Sequence, residues 1–249
     1  MDSSKIIREK FNRVRILIIG RANAGKTTIL QRLCNSREKP EVYNRAGKKI
    51  DASVLQRSRE RGDFDIENGL VFRNYPGFIF HDSRGFEAGG ESEYNEVTAF
   101  IAGRSKKISL EDRIHVIWYF IPMDRASRCF TEAELKFFRS DYGSIPVMVL
   151  FTKFDALYAV EFARLTENGT SKKDAKNLAP KHAPVTFANG SQLKFLYQSK
   201  DIRPPKCHVC LPDMNRDDAD CRPLMERTAE TLHIARPVFS ANKLAEISS

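Results

Sequence analysis

The chain has 249 residues, of which 41% are hydrophobic and 29% are charged, and this is enough apolar sequence to bury the core of one large domain. The composition excludes a disordered, collagen-like or coiled-coil chain, and no apolar run approaches the length of about 20 residues that crosses a bilayer. The formal net charge of +9 comes from the first 61 residues, which hold 16 Lys or Arg against 6 Asp or Glu. This basic portion is expected to meet a polyphosphate, a nucleic acid or an anionic membrane.

The apolar periodicity predicts strands that alternate with helices. A first strand over 14–19 stops at Gly20, and a helix over 27–34 follows it directly. Further strands are predicted at 78–80, 113–121, 145–151 and 205–211, with helices over 92–103, 131–138 and about 219–233. Because parallel neighbours need long crossovers, this alternation predicts an α/β fold with a mostly parallel sheet flanked by helices.

The expected domain organisation is one domain over residues 12–235, with an amino-terminal extension over 1–11 and a carboxy-terminal tail over 236–249. The polar, lysine-rich stretch of about 160–203 is interpreted as an insertion with some helix and a flexible loop. Five cysteines, an odd number, argue against a disulfide framework. With no signal or lipidation motif, the expected location is cytoplasmic.

A glycine-rich segment lies between the first strand and the first helix. It matches the pattern of glycine, any four residues, glycine, lysine and Ser or Thr. Its backbone N–H groups and the following helix N-terminus are expected to hold phosphate oxygens. Lys26 is expected to reach the β- and γ-phosphates as the catalytic residue, and the Thr27 hydroxyl is expected to bind Mg²⁺. The residues assigned to this phosphate loop are Gly20, Arg21, Ala22, Asn23, Ala24, Gly25, Lys26, Thr27 and Thr28.

Two further motifs follow predicted strands. Asp82-Ser83-Arg84-Gly85 places a carboxylate that would hold magnesium through a water, and a glycine N–H at Gly85 that would contact the γ-phosphate. Thr152-Lys153-Phe154-Asp155 comes after the strand at 145–151, at the edge where α/β sheets bind ligands. The Asp155 carboxylate can accept both N–H donors of guanine, whereas adenine would leave it poorly paired. The aliphatic stem of Lys153 is expected to lie over the base, and this motif therefore favours guanine.

These three elements, in this order, resemble the G domain of the Ras-like and translation-factor GTPases over roughly residues 12–235. Thr-Lys-x-Asp is similar to the motif of the dynamins, and the run from Phe80 to Gly89 looks most like fungal G-domain proteins. The resemblance implies a three-layer P-loop NTPase fold that binds GTP or GDP with Mg²⁺. It also implies a last base-contacting loop, expected at the main chain near Leu211, although Ser240-Ala241-Asn242 is more similar to that motif in its letters.

The chain departs from the family pattern at the switch regions. No threonine lies between Thr28 and Thr98 to bind the metal, and the expected loop from 40 to 68 offers other oxygen groups at Ser53, Ser58, Asp63 and Asp65. Phe86 stands where Ras-like enzymes have the glutamine that orients the attacking water, which predicts slow intrinsic hydrolysis. Arg57, Arg59 and Arg61 either supply the missing charge or are solvated loop residues.

The predicted function is a slow GTPase that acts as a molecular switch, and the alternative is a module that binds GTP or GDP without hydrolysing it. Kinases and ATPases share the phosphate loop, but no residue here matches their base-reading or acceptor-binding roles. The expected partners are a protein effector or regulator and a second copy of the chain in a nucleotide-dependent dimer. Nucleic acid is not specifically indicated.

The cysteines at 207 and 210 have the spacing of half a zinc site. They fall on a predicted strand, where side chains alternate between the two faces. We therefore expect Cys207 and Cys210 to point to opposite faces of the sheet and to be buried as small apolar residues.

Overall fold

The computed structural model describes residues 13–33, 39–53, 65–73, 76–83, 91–125 and 130–232. The strands in these ranges are β1 (Val14–Gly20), β2 (Glu41–Tyr43), β3 (Lys49–Ile50), β4 (Gly69–Val71), β5 (Phe78–Asp82), β6 (Val116–Pro122), β7 (Val147–Thr152) and β8 (Cys207–Leu211). The helices there are α1 (Lys26–Leu33), α2 (Glu91–Ser105), α3 (Glu132–Arg139), α4 (Ala156–Glu167), α5 (Lys172–Ala188), α6 (Ser191–Gln198) and α7 (Arg222–Thr231). Short 3₁₀ turns cover Leu110–Asp112 and Met123–Arg125.

The described strands form one sheet in the order β3-β2-β4-β5-β1-β6-β7-β8. The five strands from β5 to β8 in this order pair in parallel, whereas β4, β2 and β3 pair antiparallel at the other edge. The prediction of a mostly parallel α/β sheet is therefore confirmed. Because the parallel strands share one direction, the loops that leave their carboxyl ends meet at a single edge of the sheet.

The antiparallel edge was not predicted. The stretch from 40 to 68, expected to be a loop, contains the hairpin of β2 and β3, and β4 begins immediately after it. The hairpin turn is closed by Asn44, whose side-chain oxygen accepts bonds from the N–H groups of Ala46 and Lys48, and by Gly47 at a φ of 73°. Strands of two or three residues are too short to produce a periodic apolar pattern, so only pairing with the sheet reveals them.

The sheet has a helical layer on each face, so the three-layer arrangement is confirmed. Alternate residues of the central strands enter different cores: Ile18 and Trp118 join α1 and α7 on one face, and Leu17 and Ile117 join α2 and α3 on the other. All seven residues of β6 are buried. This explains why the strands appear in the sequence as continuous apolar runs and not as alternating ones.

The predicted insertion of about 160–203 is helical over most of its length. Helices α4, α5 and α6 follow one another with short turns, and Ser171 caps α5 by accepting a hydrogen bond from the N–H of Asp174. Ala175 and Ala179 of α5 pack against Leu165 of α4 in a small core of their own. The expected helix therefore extends over most of the stretch, and a non-helical segment over 199–206 leads from α6 to β8. Across the described ranges, no helix is both long and apolar enough to cross a membrane.

Candidate functional site

The phosphate loop connects β1 to α1 in a conformation that requires its glycines. Gly20 has a φ of 153°, and a Cβ at this position would lie 2.6 Å from the carbonyl oxygen of Phe120 on the neighbouring strand. Asn23 and Gly25 adopt φ values of 58° and 81°, in the left-handed region that few side chains tolerate. Such a loop turns successive N–H groups towards one side, directly before the N-terminus of α1, and this is a geometry that suits an anion.

Lys26 lies across the loop that it follows. Its ammonium group donates hydrogen bonds to the carbonyl oxygens of Gly20 at 3.1 Å and Arg21 at 2.9 Å. Thr27 is exposed at the first turn of α1, and Thr28 is partly exposed beside it. The ammonium and the Thr27 hydroxyl therefore occupy the end of α1 where the helix dipole favours negative charge.

The loop is attached to α3 by an ion pair that the sequence analysis missed. The guanidinium of Arg21 donates to both carboxylate oxygens of Glu134, at 2.8 and 2.7 Å, and the Glu134 side chain is 1% exposed. The same carboxylate accepts from the N–H of Thr131 in a capping box at the start of α3. Burial opposes the charge of Arg21, but the bond with Glu134 outweighs it and raises the pKa of the guanidinium. The Thr131-x-x-Glu134 pattern predicts a helix cap from the sequence. No pattern near either residue indicates that Glu134 also pairs with Arg21.

Asp82 ends β5 and is almost completely buried. It pairs with Ile18 of β1, and the adjacent Ser83 N–H donates to the carbonyl of Ile18 at 2.9 Å, which fixes the end of the strand two residues before the phosphate loop. Within the described ranges, no group of three or more His, Cys, Asp or Glu residues is placed to hold a metal alone. One carboxylate and one hydroxyl, at Asp82 and Thr27, are hard oxygen donors of the kind that suits Mg²⁺ when phosphates and waters complete its shell.

A cavity of about 270 Å³ joins the phosphate loop to the second motif. Its lining residues come from the phosphate loop and α1, from the second motif, and from the segments after β6 and β8: Gly25, Thr28, Ile29, Asp124, Thr152, Lys153, Asp155, Ala156, Met214 and Asn215. The structure thus brings together residues that are more than 120 positions apart in the sequence. The Thr152 hydroxyl donates to the carbonyl of Ala24 at 2.8 Å in a buried hydrogen bond, which locks the end of β7 to the phosphate loop.

The two charged residues of the second motif are held in different ways. The Asp155 carboxylate accepts a hydrogen bond of 2.9 Å from the N–H of Asp213, in the loop between β8 and α7. Lys153 has a φ of 51°, and its ammonium group forms a 2.6 Å ion pair with Asp124, where both side chains are about two-fifths exposed. Asp124 is a second residue that the sequence analysis missed. It lies directly after β6, with no motif around it.

Leu211, near which the main chain was expected to contact the base, does not line the cavity. Leu211 lies in β8 with a buried side chain, and its carbonyl accepts a hydrogen bond from Phe154 N–H at 3.3 Å. Met214 and Asn215, a few residues farther along, line the cavity instead. Asp213 has a φ of 51° and turns the chain back towards the cavity, so that the loop reaches the site only after β8 has ended.

Cys207 and Cys210 pack on opposite faces of the sheet, each against a different core, as their spacing on a strand predicted. Both are partly buried and not fully buried as expected, because β8 is the edge strand of the sheet. Burial raises the pKa of the Cys210 thiol to about 12. Of the groups considered for the switch contact, Asp65 accepts a hydrogen bond from Glu67 N–H, and Ser53 donates its backbone N–H to Asp51. The remaining predicted residues lie outside the described ranges: Arg57, Ser58, Arg59, Arg61, Asp63, Gly85, Phe86, Ser240, Ala241 and Asn242.

Two solved structures are similar to this chain at low identity. A probable GTP-binding protein engB shares 16% identity at a TM-score of 0.42, with 88% of this chain and 98% of that chain covered. The GDP-bound G-domain of a mutant S. thermophilus FeoB shares 10% identity at a TM-score of 0.43, with 90% and 63% covered. A search of curated proteins found no match.

A family model described as 50S ribosome-binding GTPase matches residues 15–153, which is more than half of the chain. The match begins in β1, before the phosphate loop, and ends within the Thr-Lys-Phe-Asp motif, so it includes most of the cavity lining. The chain therefore belongs to the 50S ribosome-binding GTPase family and is a P-loop GTPase G domain.

Proposed function

We propose that the protein binds GTP and GDP with Mg²⁺, hydrolyses GTP slowly on its own, and acts as a molecular switch. The observation that carries this proposal is the cavity in which the phosphate loop and the Thr152–Asp155 motif meet, joined by the buried bond from Thr152 to Ala24. The residues that line this space include the Asp155 carboxylate and, at Gly25 and Thr28, both sides of the start of α1. A nucleotide needs both kinds of group, one for its base and one for its phosphates.

In the proposed mechanism, the loop amides from Ala22 to Thr28 and the Lys26 ammonium hold the triphosphate. Lys26 would exchange its bonds to the carbonyls of Gly20 and Arg21 for phosphate oxygens. Mg²⁺, when bound, would neutralise negative charge on the β- and γ-phosphates, with Thr27 as a direct ligand and Asp82 holding it through a water. Gly85 is proposed to contact the γ-phosphate through its N–H.

Selection of guanine is assigned to Asp155. Its carboxylate would accept the N1–H and 2-amino donors of the base, while its bond to the Asp213 N–H keeps it oriented. Lys153 would cover one face of the base with its stem, and Met214 and Asn215 replace Leu211 as the proposed wall of the base site. Adenine lacks the 2-amino group, and a desolvated carboxylate would be left poorly paired.

Slow hydrolysis is proposed because Phe86 has no group that can orient water and because no threonine is available between Thr28 and Thr98. The same two features favour the second candidate function, a module that binds GTP or GDP without turnover and presents a nucleotide-dependent surface to a partner. Single-turnover hydrolysis of GTP by the purified protein separates the two functions. Stimulation at high protein concentration would support hydrolysis in a nucleotide-dependent dimer.

The binding proposal is tested by titrating the purified full chain with a fluorescent GDP analogue in the presence of Mg²⁺. GTP and GDP should displace the analogue, and ATP should do so at least about 100-fold less effectively. Lys26→Ala should weaken binding strongly, whereas Lys176→Ala, an exposed lysine on α5, should leave binding unchanged. Absence of GTP and GDP binding at micromolar concentrations would refute the proposal.

We further propose that the G domain covers residues 12–235, between the extension and the tail predicted from the sequence. The first and last described elements, β1 and α7, support these limits because both contribute to the same core. The loops around residues 40–68 and 83–91 are the proposed switch segments, since they lie on either side of β4 and β5, and β5 ends at Asp82. Limited proteolysis with GDP and with a GTP analogue tests whether cleavage there depends on the nucleotide.

A further inference from the structure

The loop between α2 and β6, residues 106–113, exposes two large aliphatic side chains. Ile108 is 96% exposed and Leu110 is 62% exposed. Among the described residues, the other exposed large hydrophobic side chains are Val160, Val185 and Tyr197, and none of these is as exposed as Ile108. Single exposed apolar residues are common on protein surfaces, but here two lie two positions apart at the tip of one short loop.

The loop has a defined conformation that holds these side chains outward. The Arg113 side chain donates to the carbonyl of Lys107 at 2.7 Å, and the N–H of Asp112 donates to the carbonyl of Ser109 at 3.2 Å. In addition, the Arg15 side chain of β1 donates to the carbonyl of Glu111 at 2.6 Å. These bonds fix the backbone of the loop. The exposure of Ile108 and Leu110 therefore follows from the conformation of the loop.

The charges around the two aliphatic side chains are mostly positive. Lys106, Lys107 and Arg113 belong to the loop, and within the ranges that the structure describes, neither lysine forms an ion pair. Of the two acids in the loop, Asp112 is paired with Arg15 at 3.4 Å. The loop therefore presents an excess of positive charge directly beside its apolar tip.

The loop lies at the edge of the sheet opposite to the nucleotide cavity. It precedes β6, whose other end leads to Asp124 at the cavity. Arg13, which is exposed and precedes β1, lies at the same edge as the loop, and β1 and β6 are parallel neighbours. A large partner on this edge would leave the cavity open to solvent.

We propose that residues 106–113 dock the protein on an anionic phospholipid membrane, with Ile108 and Leu110 entering the headgroup boundary and Lys106, Lys107 and Arg113 contacting lipid phosphates. Apolar insertion and attraction to anionic lipid act together in peripheral binding of this kind, because neither is strong enough alone. A single-stranded nucleic acid could bind the lysines, but the loop contains no aromatic residue on which a base would stack. Binding of such a nucleic acid would therefore give no role to the two exposed aliphatic side chains. The lysine stems can also lie along the apolar boundary while their charges stay in water.

The test is cosedimentation of the full chain with phosphatidylcholine vesicles that contain or lack phosphatidylserine. The wild type should bind only the anionic vesicles, and added salt should weaken the binding. The variants Ile108→Ser/Leu110→Ser and Lys106→Glu/Lys107→Glu should each lower the partition coefficient about ten-fold or more. Matched controls are Val185→Ser, which is as exposed as Leu110, and Lys172→Glu/Lys173→Glu, two exposed lysines. All three residues lie on α5, outside the loop, and these variants should bind as the wild type does.

Insertion itself has a separate readout. Trp118 is the only tryptophan and is fully buried, so an Ile108→Trp variant adds one exposed reporter. Its emission should shift to the blue with anionic vesicles and should be quenched by brominated lipid. Equal binding of wild type and loop variants, or binding of the wild type to polyuridylate RNA but not to vesicles, would overturn the proposal. Circular dichroism melting shows that each variant is folded, independently of nucleotide binding.

Discussion

At the cavity proposed to hold the nucleotide, the phosphate loop and the second motif each hold a basic residue in an ion pair, and the two pairs differ in burial. At the phosphate end, Arg21 is 16% exposed and makes two hydrogen bonds to a Glu134 carboxylate that is 1% exposed. At the base end, Lys153 and Asp124 make one contact, and both are about two-fifths exposed. A buried bidentate pair fixes a backbone, whereas an exposed pair is weak and exchanges easily. The phosphate loop is therefore preorganised, and Lys153 remains available for a ligand.

This difference also indicates which end of the site is held more firmly by the rest of the domain. The carbonyls of Gly20 and Arg21 accept from Lys26, and the side chain of Arg21 is fixed by α3, so the phosphate end is connected to the core in two directions. The base end depends on Asp213 and Asp124, which lie on connections that follow β8 and β6. Adaptation to the ligand is expected at the base end.

The largest effect is expected from Glu134→Ala. It leaves the partly buried Arg21 guanidinium without its partner and removes the capping box of α3, which should cost about 3–5 kcal/mol of unfolding free energy. Urea denaturation measures this change, with Glu132→Ala, an exposed acid in the same helix turn, as the matched control. If the two variants unfold at the same urea concentration, the buried pair does not stabilise the phosphate loop and the comparison fails.

The next effect concerns the base. Asp155→Asn replaces an acceptor with an amide whose N–H group faces the guanine donors, so affinity for GDP should fall about 100-fold, or about 2.7 kcal/mol. The same amide can donate to the 2-oxygen of xanthine, so xanthosine diphosphate should bind more tightly to the variant than to the wild type. Asp213→Asn is the control, because Asp213 contributes its backbone N–H and not its carboxylate. Unchanged preference for guanine would remove Asp155 from the base site.

A smaller effect is expected from Thr152→Val. The valine keeps the shape but leaves the buried carbonyl of Ala24 without its donor, at a cost of about 1–3 kcal/mol. Both the unfolding free energy and GDP affinity should fall, since this bond connects the two ends of the cavity. Thr166→Val tests the specificity of the result, because Thr166 donates only to carbonyls of its own helix. Equal losses in the two variants would show that the connection has no special role.

The smallest effect is expected from Asp124→Asn. An exposed ion pair contributes about 0–1 kcal/mol, so the unfolding free energy should change little. GDP affinity should change less than about 3-fold, in either direction, because Lys153 is released rather than removed. A loss of unfolding free energy as large as that of Glu134→Ala would show that the two ion pairs stabilise the protein equally. Calorimetric titration and urea denaturation on the same preparations provide both numbers.

Local sequence was sufficient for the elements that carry the motifs. The glycine loop, the strand before it and the helix after it were predicted within one or two residues, because β-branched runs and helical spacing act over short distances. The hairpin of β2 and β3 was missed, since its strands are too short for any pattern. The cavity lining at Met214 and Asn215 was not predicted, because nothing local marks where β8 ends and the left-handed turn at Asp213 begins.

By itself, the sequence determined the alternating α/β order, the phosphate loop with Lys26 and Thr27, and the guanine-type motif at Asp155. Each of these depends on residues that are neighbours in the chain. Only the tertiary structure decided that Arg21 meets Glu134 across 113 positions and that Thr152 meets Ala24 across 128 positions. Those contacts arise from the packing of strands into one mostly parallel sheet. Packing acts between segments whose proximity is set by the whole core and not by any local pattern.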